Sequence, residues 1–65
     1  MLKVIEILAE SEKSWEDATR QAVAYAGKTV KHIQSVYVNE QSAVVKDNNI
    51  TAFRVNVKIT FKVAN

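Results

Sequence analysis

The chain reads as an α+β protein, a three-stranded antiparallel sheet wrapped around one helix in the order β-α-β-β. Three patterns predict it. Phe53, Val55, Val57, Ile59, Phe61 and Val63 alternate strictly with Ala52, Arg54, Asn56, Lys58, Thr60 and Lys62, which gives a strand one greasy and one polar, basic face. Trp15, Ala18, Ala22, Tyr25, Ala26, Val30 and Ile33 recur at steps of three and four, the spacing of a helix. Lys46-Asp47-Asn48-Asn49 separates two extended runs with residues that tolerate left-handed backbone angles, so the last two strands form a hairpin.

The elements follow in order. Leu2 to Leu8 is β-branched and nearly continuous in apolar character, which predicts a strand covered on both faces. Ala9 to Lys13 is a polar connection. Ser14 with Asp17 three residues on is a capping-box variant, and Glu16 and Asp17 sit where the helix dipole favours negative charge. A helix over 15–33 spans about 28 Å. Lys28, Lys31 and His32 would complement its negative end. Gly27 weakens such a helix by ~1 kcal/mol relative to alanine, so a close approach to another backbone is expected there. Ala18, Ala22 and Ala26 place the helix close against the sheet. Ser35 to Val45 is the second strand, with Val36 and Val38 on one face and Ser35, Tyr37, Asn39 and Gln41 on the other.

Sixty-five residues and 7.3 kDa allow one small domain, which hides only about 60% of its unfolded surface. Chains of this size need disulfides, a metal or a partner. With no cysteine and one histidine (His32), disulfides, thiolate zinc sites and histidine clusters are excluded. Self-association remains. A hydrophobic content of 48% with one glycine and no proline supports it, and the predicted sheet leaves a bare face and two open edges. No apolar run approaches ~18 residues, so no membrane span is expected. The opening Met1-Leu2-Lys3-Val4-Ile5-Glu6 lacks the features of a signal peptide, which makes the cytoplasm the expected location.

Several functional classes lack residues. There is no Gly-rich phosphate loop, no carboxylate pair arranged for acid–base work and no nucleophile beside His32, so an enzyme is not expected. Arg54, Lys58 and Lys62 make a basic stripe, but net charge is only +2 and no stacking aromatics accompany it. Salt bridges to acidic residues of a neighbouring copy explain the stripe better than nucleic acid does. Five of the seven acids fall early, and Glu10, Glu12, Glu16 and Asp17 offer the oxygen ligands that hard cations prefer. The same acids also suit a solvated helix start, and no EF-hand spacing is present.

Nearly the whole chain resembles the dodecins, small β-α-β-β proteins that assemble as hollow dodecamers. The matching stretches are Lys3-Val4-Ile5-Glu6-Ile7, Ser11-Glu12-Lys13-Ser14-Trp15-Glu16, Ala22-x-x-Tyr25-Ala26-x-x-Thr29-Val30, and Phe53 to Val63. The resemblance implies a homo-dodecamer that sequesters a small molecule or ion without catalysis. It also implies a changed site. Flavin-binding dodecins stack a tryptophan on the flavin ring, and that position is Ser35 here. They place a glutamine on the third strand, where this chain has Arg54, a donor only. Their Gly-Thr-Ser after the first strand is Ala9-Glu10-Ser11. Losing the stacking surface removes about 1–3 kcal/mol by analogy with base stacking. Weak or absent flavin binding is therefore expected, and calcium is a candidate, because Ser14-Trp15-Glu16 is most similar to the flavin-free, calcium-dodecin-like branch. The alternative is a rearranged flavin site in which Tyr37 supplies the aromatic face and Arg54 stacks through its guanidinium.

Overall fold

A computed structural model describes residues 1–63. The elements are β1 (Leu2–Ser11), α1 (Trp15–Ala26), β2 (Ile33–Lys46) and β3 (Asn49–Lys62). The sheet is antiparallel in the order β1-β3-β2, so the strand with the clearest alternation is the central one.

Residues directly opposite in an antiparallel pair point to the same face. Ile5, Ile7 and Ala9 of β1 oppose Ile59, Val57 and Val55 of β3. Onto this face α1 lays Ala18, Ala22 and Ala26, and these alanines with Val55, Val57 and Ile59 are all 2% exposed or less. A methyl group is short, so the alanine stripe lets the helix axis approach the sheet. Trp15, Val23 and Ile33 pack around this core. Trp15 meets Phe53 edge to face at 4.9 Å between ring centres, and its Nε1 donates to the Ser42 carbonyl at 2.8 Å. The start of α1 is thereby tied across the sheet to β2.

The helix start is half of the expected capping box. Ser14 is the N-cap, and its hydroxyl accepts from the Asp17 backbone N–H at 2.9 Å. The Asp17 carboxylate does not return to Ser14. It accepts instead from the Ser11 hydroxyl at 2.6 Å and from Gln21 Nε2 at 2.7 Å. Ser11, buried to 5% exposure, ends β1 rather than lying in a polar connection.

Other expectations need correction. The helix stops at Ala26, not at residue 33. Gly27 is its C-cap, in a right-handed conformation, and a Cβ there would meet only the carbonyls of Val23 and Ala24. It therefore marks a helix end and no approach to a second backbone. Val30 and Ile33 fall at helical spacing by coincidence, since Ile33 already opposes Phe61 in the sheet. The last turn of α1 carries no basic residue, and His32 lies outside the helix at φ 63°, its carbonyl accepting from the Lys62 N–H at 3.0 Å. Strand β1 is covered on one face only in the protomer, leaving Val4 and Leu8 exposed on the other. Tyr25 faces solvent.

Strand β2 holds the most consequential difference. Register shifts fall between Ile33 and Ser35, Val38 and Glu40, and Val44 and Val45, whereas the pairing of β1 is unbroken. Each extra residue reverses which way the following side chains point. Gln41 therefore opposes Val55 on the helix side, while Glu40 and Ser42 take the outer face. The hairpin is as expected, with Asp47 and Asn48 both at positive φ, as a two-residue type I′ turn requires.

The protomer is an elongated body of 51 × 19 × 13 Å. It exposes 4933 Å², against about 4,200 Å² for a compact monomer of this mass. Among the described residues no helix is long and apolar enough to cross a membrane.

Candidate functional site

The outer face of the sheet, opposite α1, is laid out in cross-strand rows by the register. Val4, Thr60 and Ser35 make one row, and Glu6, Lys58 and Tyr37 the next. Leu8, Asn56 and Glu40 follow, then Glu10, Arg54 and Ser42. The last two rows line a groove of about 430 Å³.

Ser35, Tyr37 and Arg54 do share this face, but the protomer does not gather them. Tyr37 opposes Lys58, four residues along β3 from Arg54, a separation of about 13 Å. Arg54 is also engaged, because its Nε donates to Glu10 Oε1 at 2.7 Å. Both side chains are more than half exposed, so water screens the pair and it contributes little to stability. Its effect is positional, since it holds the guanidinium over β1.

Glu10, Glu12, Glu16 and Asp17 are likewise not assembled within one chain. Glu10 is on the outer sheet face with Arg54, and Glu12 is exposed in the loop after β1. Glu16 pairs with Arg20 at 2.6 Å on the helix surface. Asp17 is bound by Ser11 and Gln21, whose hydrogen bonds hold its carboxyl below the usual aspartate range, with Lys13 and Arg20 adding to the effect. Among the described residues no three His, Asp or Glu side chains stand close enough to hold a metal ion. Among its described residues, one protomer therefore offers calcium no cluster of three carboxylates.

Sequence reasoning placed Asn56 on the polar face but missed Glu40 and Ser42 as its neighbours. The shift at Asn39 that turns them outward leaves no mark in composition. Asn56 Oδ1 is a fully buried oxygen that accepts no hydrogen bond among the described residues, and Asn56 lines the groove. A buried acceptor without a donor is costly, which singles this atom out.

This geometry can be set beside known proteins. The dodecin family model matches residues 1–64. A calcium dodecin of Mycobacterium tuberculosis is 35% identical over 60 residues, which cover 92% of this chain and 84% of that protein. A crystal structure of calcium dodecin from the same organism, described as a calcium-chelating antigen with a novel calcium-binding site, superposes with a TM-score of 0.86 at 33% identity, covering 98% of this chain and 91% of that one. A Thermus thermophilus structure superposes at 0.94 with 25% identity, covering 100% and 96%. Dodecins are small homo-oligomeric binding proteins. From its first strand to its last, this chain belongs to the dodecin family, on the calcium-dodecin-like branch.

Proposed function

We propose that the chain assembles into a dodecamer that binds and stores a small ligand or ion without catalysis, and that its flavin affinity is weak or absent. One observation carries the reading: the outer sheet face is bare, groove-bearing and lined by charged side chains, in a protomer with more surface than a compact monomer of its mass. A stable contact hides about 800 Å² per partner, and the exposed Leu2, Val4 and Tyr37 offer apolar area for it. Against flavin stand Ser35, which has no ring to stack, and Arg54, which cannot accept from a ring N–H and is tied to Glu10. The alternative site of Tyr37 and Arg54 would require two copies, since one chain holds them about 13 Å apart. Calcium, which the Mycobacterium relative is named for, would need carboxylates from several copies at a subunit seam. The cytoplasm remains the location we assign.

Native mass spectrometry of the purified protein tests the reading by reporting copy number and retained molecules together. A dodecamer is expected, and a stable monomer at dilute concentration overturns the proposal. Riboflavin emission should persist through a titration with micromolar protein, and quenching would restore the flavin alternative. If calcium binds the native assembly alone, it raises the melting midpoint.

A further inference from the structure

From the groove on the outer sheet face we infer the class of ligand it takes: an organic ammonium, whose N–H donors meet Asn56 and Glu40 and whose alkyl part covers Leu8. The inference rests on the small-ligand reading above and narrows it.

Two adjacent rows define the site. One is Leu8, Asn56 and Glu40, and the other is Glu10, Arg54 and Ser42. Glu10 and Arg54 neutralise each other through their ion pair. The Glu40 carboxylate has no ion-pair or hydrogen-bond partner among the described residues, so the lining carries a net negative charge in a chain that is net positive. Beside Glu40, directly across the strand pair, lies Asn56, whose Oδ1 lacks a donor. Asn56 lines the groove and the torsion about its Cβ–Cγ bond is soft, so the amide can rotate its oxygen toward a donor bound there. The groove thus has an unmet demand for hydrogen-bond donors carrying positive charge. A carboxylate or phosphate ligand would meet Glu40 with the same sign of charge.

The apolar neighbour selects among cations. Leu8, in the Asn56 row, is 79% exposed. A hydrated metal ion leaves that surface in water, whereas a short alkyl chain removes it. An ammonium donates directly, while a quaternary ammonium has no N–H to give.

Isothermal titration of the purified full-length assembly with hexylammonium, tetramethylammonium and calcium, at matched ionic strength, tests this. Saturable hexylammonium binding is expected, about tenfold weaker in Glu40→Gln, which loses the opposite charge, and in Asn56→Leu, which loses an acceptor for the ammonium N–H. Tetramethylammonium should bind at least about tenfold more weakly than hexylammonium. Glu40 is exposed, so its substitution leaves the fold intact. No saturable hexylammonium binding, equal binding of tetramethylammonium, displacement by equimolar calcium, or an unchanged Glu40→Gln variant each overturns the inference. An assembly that retains some other molecule while hexylammonium fails sinks only this inference. A monomer retaining nothing sinks the broader reading as well.

Discussion

The two faces of β3 are built on opposite principles from alternate residues of one strand. On the helix side, Val55, Val57 and Ile59 are sealed by the alanines of α1. On the other, Arg54, Asn56 and Lys58 meet Glu10, Leu8 and Glu6 across the sheet and remain within reach of water or of another subunit. The inner face determines whether the chain folds. The outer face determines what the folded chain meets.

That contrast can be broken in graded steps. Ile59→Ala should have the largest effect, a loss of about 2–5 kcal/mol, because it opens a cavity against α1 that the short alanines cannot refill. Denaturant unfolding would measure it, and a loss under ~1 kcal/mol would show that the inner face is loosely packed. Ser35→Trp, on the outer face, should leave stability within about 0.5 kcal/mol. It should also return riboflavin binding by about 1–3 kcal/mol through stacking, read as fluorescence quenching. A destabilised Ser35→Trp would mean that the outer face is as constrained as the inner one.

Smaller effects sit at the boundary between the faces. Asp17 has a carboxyl pKa lowered mainly by the Ser11 hydroxyl and then by Gln21. A carboxylate with a folded pKa below its unfolded value stabilises the fold above the ordinary aspartate value of about 3.9, and loses that contribution as pH falls through the folded pKa. Melting curves between pH 6 and roughly 2 should therefore slope less in Asp17→Asn than in the parent chain. Identical slopes would remove Asp17 from the acid response. Least of all, Glu10→Gln should cost below about 1 kcal/mol, because its ion pair with Arg54 is exposed. Its sharper consequence is a freed guanidinium, visible as altered Arg54 side-chain NMR signals.

The inner face was legible in the sequence because strict alternation in β3 and three-and-four spacing in α1 both report burial directly. Ser14 as a cap and the turn at Asp47-Asn48 were legible for the same reason, since only certain side chains satisfy those backbones. The helix end was not. Val30 and Ile33 continue the helical spacing after Gly27, although Ile33 is already committed to β2. The groove was the least legible part, and the register explains why. Counting outward from the turn pairs Tyr37 with Lys58 correctly, because the shifts near Val45 and near Asn39 cancel. Between them, Glu40 to Val44 are displaced by one position, and their side chains are reversed. No residue type announces a pair of compensating bulges, so Glu40 and Ser42 reached the site unseen.

The asymmetry of the sheet's borders has a further consequence. The pairing of β2 is interrupted by register shifts, which makes it a poor template for a foreign strand, while β1 offers ten regularly spaced residues with no proline to interrupt them. A lone protomer therefore presents one adhesive rim and one protected rim. In the dodecamer proposed above, pairing of β1 with a second copy would cover that rim.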